Sequence, residues 1–297
     1  MTKKPLWREI WDFPLVSLVV AIAAFVAVFA GVTYLFAQFD IPLSKTGKIV
    51  LNGLLAPALA LLLAKFLIPR LGDNRRDDLA WSGAGRMLLI GIAGSALLMT
   101  VIFAVVFALG GYRVDGWGGM TSWAMLLFIA GLRAGVVEEV MFRGILFRYL
   151  EDFGGSWFAL AATSALFGVA HIMNPNATWF SSLAIAVEAG VLLGGAYMLT
   201  RSLWLSIGLH FGWNVTQGFV FDVPVSGNEV DGVLAAHPAG SVWLSGGEFG
   251  LEASAVALAI AGGAGAWLTV KAVREGQLVR PWWTRRRLAR EAEALAA

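Results

Sequence analysis

The 297-residue chain has no cysteine, only three histidines, and few charges. Without cysteine there are no disulfides, no thiolate metal sites and no cysteine nucleophile, and the redox compartment is left undecided. Charged residues make up 14% of the chain, against about 25% in a typical soluble domain. The net charge of +2 gives no electrostatic footprint for nucleic acid. What fills the chain instead is apolar. Hydrophobic residues reach 58% and gather in long runs. The expected fold class is all-α, a polytopic membrane protein.

A membrane-crossing helix needs about 20 apolar residues. On that rule eight spans are expected, near 15–37, 49–68, 87–109, 122–147, 157–173, 180–199, 203–221 and 249–270. Lys3, Lys4 and Arg8 precede the first run. That run exceeds a signal-peptide core of roughly 7–15 residues, so it reads as a retained span, with Trp7 and Trp11 suited to the interface. With the N-terminus in the cytoplasm, 16 Lys and Arg fall on the cytoplasmic side, three fall outside (Lys45, Lys48, Arg113) and three lie within spans (Lys65, Arg133, Arg143). This asymmetry favours eight helices with both termini cytoplasmic. Residues 1–119 then form helices 1–3, 120–221 a core of helices 4–7, and 222–248 an extracytoplasmic loop. Residues 249–297 supply helix 8 and a basic tail. The loop is Gly-rich, with four acids and no Lys or Arg, and His237 in it is expected to be solvated. Trp282, Trp283 and Arg285 to Arg287 suit an anchor on anionic lipid.

Ionisable groups inside spans point to function. Span four holds Arg133, Glu138, Glu139 and Arg143; span five His171; span six Glu188; span seven His210 and Asn214. Lys65 lies near a helix end and can snorkel. At a rise of 1.5 Å per residue, Glu138, His171, His210 and Asn214 lie about 15, 21, 10 and 16 Å from the cytoplasmic ends of their helices. Three helices therefore bring two carboxylates, two imidazoles and an amide to similar depth. Glu139 and Arg143 are four apart and share a face, so they can neutralise each other. Glu138 is rotated about 100° away and is left free to act as a general base. His210 and Asn214 are also four apart. Together they can donate hydrogen bonds to a developing oxyanion, although Asn214 can equally join helices. His171 can pair with Glu138 or hold a water. These are the parts of an amide hydrolase without a covalent nucleophile.

The motifs Glu138-Glu139-x-x-x-Arg143, Phe167-x-x-x-His171 and His210-x-x-x-Asn214, in order on successive hydrophobic segments, resemble those of the CPBP family. This family comprises the type II CAAX prenyl endopeptidases and their bacterial Abi relatives. The resemblance covers roughly residues 120–221. It implies an intramembrane endopeptidase in which Glu138 activates water, His171 assists, His210 and Asn214 stabilise the oxyanion, and Glu139 and Arg143 support the site. It implies a membrane-embedded or lipidated peptide as substrate, and the short loops suggest a bacterial plasma membrane. No cofactor is expected; the alternative is zinc held by Glu138, His171 and His210. A proton-coupled transporter or a non-catalytic immunity or assembly partner are the competing readings. Phe167 is expected to pack beside His171, and Gly190-x-x-x-Gly194 to allow close helix packing. Glu188 is expected to make an interhelical hydrogen bond rather than a substrate contact. Arg133 can cap a cavity or pair with a carboxylate.

Overall fold

The computed structural model describes residues 5–38 and 41–296. Lys3 and Lys4, counted on the cytoplasmic side, lie outside them. In chain order the long elements are α1 (Pro14–Gln38), α2 (Lys45–Arg70), α3 (Ala84–Ala108), β1 (Tyr112–Trp117), α4 (125–154), α5 (Ser156–Met173), α6 (Trp179–Thr200), α7 (203–220), β2 (Leu234–Pro238), α8 (Ala255–Arg274) and α9 (Trp282–Ala296). Among the described residues, α1, α2, α3, α5, α6 and α8 are long and apolar enough to cross a membrane. The other two expected spans, α4 and α7, are continuous helix of similar length. They are less apolar because they carry Arg133, Glu138, Glu139, Arg143, His210 and Asn214. The chain is thus an all-α polytopic membrane protein.

Hydroxyl caps open several of these helices. Ser44 accepts from Gly47 N–H ahead of α2, Thr178 and Ser181 form a reciprocal capping box at α6, and Ser202 accepts from Trp204 N–H at α7. Each satisfies amide groups that a helix start leaves open. The last span begins later than expected, at Ala255 rather than 249. Gly246, Gly247 and Gly250 adopt positive φ, and Ser254 caps Ala257 N–H, so the chain turns repeatedly before the helix starts.

Small residues let the core helices approach closely. A side chain on Gly208 would collide with the Leu88 carbonyl of α3, and one on Gly190 would lie 2.7 Å from Ser164 of α5. Gly194 likewise meets Leu160 of α5, so the Gly190-x-x-x-Gly194 stripe is a packing surface.

At one end the basic residues assigned to the cytoplasm come together. Arg148 bonds Asp78 at 2.7 Å, Arg76 bonds Asp78 at 2.5 Å, and Arg201 bonds Glu151 at 2.6 Å. Tyr197 Oη donates to Asp78 and Ser156 Oγ to Glu151. This network ties the 71–83 connection to α4, α5 and α6. Both ends of the described chain reach the same region: Phe13 packs on Phe153 and on Trp282, and Arg285 donates to the Asp152 carbonyl. Trp282 and Trp283 therefore pack against Phe13 and Phe153 as well as facing outward. Lys65, at the end of α2, bonds Asp77 at 2.6 Å.

The opposite end holds a small ribbon absent from the helical expectation. β1 and β2 pair antiparallel, from Tyr112 opposite Pro238 to Trp117 opposite Leu234. His237 is therefore a strand residue, exposed and 3.7 Å from Asp115. Asp231 fastens this region to the approach to α4: it accepts from Gly119 N–H at 2.8 Å, from Thr121 N–H at 3.0 Å, and from the Thr121 hydroxyl. The Thr121 hydroxyl and these amides hold the Asp231 carboxyl below its ordinary range. Residues 222–248 thus form a folded cap over the helices.

Candidate active site

The cap and helices α4–α7 enclose a cavity of about 350 Å³. Glu138, His171, His210 and Asn214, which depth along three helices brought together in the sequence, all line it, and Glu188 of α6 joins them. Helical distortion accompanies three of the four helices. α4 widens into π-helical turns over Met125–Arg133 and Val140–Phe147, on both sides of the glutamate pair. α6 does so over Ala186–Gly190 around Glu188, and α7 over Thr216–Val220 just past Asn214. Such turns insert an extra residue, rotate the side chains that follow, and recur at functional sites.

The two adjacent glutamates have different surroundings. Glu139 is fully buried and bonds Arg143 Nη1 at 2.8 Å, the i to i+4 pair expected from spacing. Arg143 also donates to the Ala189 and Gly190 carbonyls of α6 and stacks on Phe167. Glu139 has a second partner that spacing on one helix does not reveal: His210 Nδ1 lies 2.9 Å from the same carboxylate oxygen. A carboxylate that already pairs with Arg143 is an acceptor, so Nδ1 carries the hydrogen and Nε2 faces the cavity. Glu138 is about one-third exposed, and its Oε2 has no hydrogen-bond partner in the protein. That oxygen is 3.9 Å from His210 Nε2, too far for a hydrogen bond.

His171 sits on the short 3₁₀ turn that ends α5. Its Nδ1 is 2.7 Å from the Phe167 carbonyl. A carbonyl only accepts, so Nδ1–H donates and Nε2 is left with a lone pair. The Phe167 ring contacts both imidazoles, with centroids 4.7 Å from His171 and 6.1 Å from His210. It packs as expected, and it spaces the two histidines. The side-chain amide of Asn214 donates to the Ala130 carbonyl of α4 at 2.8 Å. Asn214 therefore joins α7 to α4 while one amide hydrogen remains for another acceptor.

One expectation changes, and one cavity residue was not anticipated. Glu188 makes no interhelical hydrogen bond: it is 1% exposed, neither carboxylate oxygen has a partner, and it lines the cavity. The α6 face it occupies (Ile185, Glu188, Ala189, Leu192, Leu193) follows helical spacing, which was visible in the sequence. The buried acid Glu252 was missed. It lines the same cavity and accepts from Ser226 N–H at 2.6 Å and Ser226 Oγ at 3.0 Å. An acid inside an apparently apolar run was the available signal. Arg133 lies at the outer side of the cavity, where the wall continues into a groove lined by Lys45, Lys48 and Asn52 of α2.

Zinc was the cofactor alternative. Among the described residues no three His, Asp or Glu side chains converge in a metal-binding arrangement. His210 Nδ1 is bonded to Glu139, and its Nε2 lies 3.9 Å from Glu138 Oε2.

Residues 120–216, about a third of the chain, match the family model described as type II CAAX prenyl endopeptidase Rce1-like. No curated protein and no solved structure matches the chain. The matched segment contains Glu138, Glu139, Arg143, His171, Glu188, His210 and Asn214, and stops short of Glu252. Over that segment the chain is similar to the type II CAAX prenyl endopeptidases.

Proposed function

We propose that this protein is an intramembrane endopeptidase that hydrolyses a peptide bond of a membrane-associated or lipidated substrate with water activated by Glu138. The observation that carries this reading is the unequal pair. Glu139 is neutralised by Arg143 and holds His210, while Glu138 opens on the cavity with an unbonded oxygen.

The chemistry follows from the positions. Glu138 removes a proton from water, and the resulting hydroxide attacks the carbonyl carbon of the scissile bond. Charge develops on the carbonyl oxygen, and His210 Nε2–H, with the free amide hydrogen of Asn214, is available to bind it. With Nδ1–H given to Glu139, Nε2 carries a hydrogen in the imidazolium form, whose bond to the oxyanion is charge-assisted. As the carbon–nitrogen bond breaks, the proton on Glu138 passes to the leaving amine; His171 Nε2 can relay it. No metal is needed for these steps, and the reading is metal-free. Stoichiometric zinc in the purified protein, with cleavage lost on chelation and restored on its return, overturns that part.

The family description names CAAX prenyl substrates, and such a lipidated peptide suits a cavity set among membrane helices. The charge asymmetry supports a plasma-membrane protein with both termini cytoplasmic. A transporter is less well supported, because the polar groups gather in α4–α7 without a counterpart set in α1–α3. The test is cleavage of a quenched fluorescent peptide library by purified protein in detergent. Activity in the wild type and none in Glu138→Ala or His171→Ala is expected; activity that survives both changes ends the proposal.

A further inference from the structure

Glu188 is the buried group the mechanism does not use. A carboxyl group held away from water with no partner is costly, and the structure offers none: both oxygens are unbonded, and no Lys or Arg forms an ion pair with it among the described residues. The residue lines the cavity, so the missing partner can only arrive there. Glu252 lines the same cavity. Glu252 is itself held by two donors from Ser226, a non-glycine residue in the left-handed region at φ 47°. Backbone in that region is retained where surrounding structure demands it.

The other charged groups of the wall leave Glu188 unpaired, although His171 attracts Glu252 electrostatically. Arg133 lies toward the α2 groove, about one and a half helical turns from Glu138. His210 is engaged by Glu139, and His171 by the Phe167 carbonyl. Glu138 and Glu229 add two further acids. Four acids therefore face one arginine and two imidazoles, and a narrow cavity with that excess concentrates cations. Ile185, Leu192 and Leu193 flank Glu188 and supply an apolar track. A charged tip beyond an apolar stem is the form of a lysine or arginine side chain.

We infer that Glu188 and Glu252 form a subsite for the ammonium or guanidinium group of a Lys or Arg in the peptide substrate. The inference rests on the endopeptidase reading and deepens it, since it names a specificity-determining pair. Glu252 lies outside the matched family segment, so half of the subsite comes from the part of the chain that the family match does not cover.

The test uses full-length protein in detergent and peptide pairs that differ only by Lys or norleucine, scanned through the positions flanking the cleaved bond. At one position the wild type should favour Lys by at least about tenfold in kcat/KM, and Glu188→Gln and Glu252→Gln should each bring that ratio near one. Equilibrium binding of the labelled Lys peptide, which requires no turnover, should weaken by a similar factor in both variants, with thermal midpoints retained. A wild type with no Lys preference in binding or cleavage overturns the subsite, as does a preference that survives both substitutions. Lys-selective binding without any cleavage keeps the subsite and sinks the endopeptidase reading. Cleavage without Lys selectivity does the reverse.

Discussion

Two neighbouring glutamates on one helix carry different burdens. Glu139 holds Arg143 and His210, and Glu138 holds neither. Glu138→Gln should lower turnover by about 10²–10⁴-fold, the range for a general base, while the thermal midpoint stays near that of the wild type. Glu139→Gln leaves a fully buried arginine without its counter-charge, a loss of about 3–5 kcal/mol in comparable buried pairs. Its first symptom should be a lowered midpoint in a thermal-shift assay. Equal loss of activity and equal stability in the two variants contradicts the division of labour. Residues sharing a helix face were legible in the sequence, because a four-residue interval has one geometric meaning. That is why Glu139 and Arg143 were paired in advance. Contacts between helices have no such signature. The bond from His210 to Glu139, the anchoring of Asn214 on Ala130 and the lack of any partner for Glu188 depend on rotation and offset between helices.

At the scale of elements, the spans were readable from apolar length, and their ends less so. The start of α8 moved to Ala255 because glycines at positive φ and the Ser254 cap outweigh hydrophobicity there. The β1–β2 ribbon escaped notice because its strands are short and their pairing bridges more than a hundred residues. Asp231 is its clamp. Its carboxyl sits below the ordinary range through bonds to Thr121 and Gly119, so its contribution is present above the unfolded value near 3.9 and is lost as pH falls through the folded value. Protection of the Gly119 and Thr121 amides, taken relative to the intrinsic exchange rate at each pH, should therefore fall below about pH 4, and Asp231→Asn should show lower protection already at pH 7. Protection that stays high and unchanged with pH contradicts the clamp. The close approach of α3 and α7 makes a parallel forecast. Gly208→Ala places a methyl group against the Leu88 carbonyl and should cost about 1–3 kcal/mol, as overpacking does. Unchanged detergent stability of that variant contradicts the contact.

The whole molecule is a membrane-embedded bundle with a charged network at one end and a folded cap at the other. The absence of cysteine makes its topology directly testable, since any introduced thiol stands alone. His237→Cys on the cap should react with an impermeant maleimide in intact cells, and Arg75→Cys beside the Arg76–Asp78 network only after permeabilisation. The reverse pattern inverts the molecule. The cavity lies under the cap, between α4, α5, α6 and α7, and everything proposed for its chemistry depends on Glu138. The most direct measurement is the cleavage rate of one peptide substrate by wild type and Glu138→Gln, purified side by side and shown to melt at the same temperature. The account predicts turnover in the wild type and a loss of at least about a hundredfold in the variant; a Glu138→Gln protein that cleaves at the wild-type rate contradicts it.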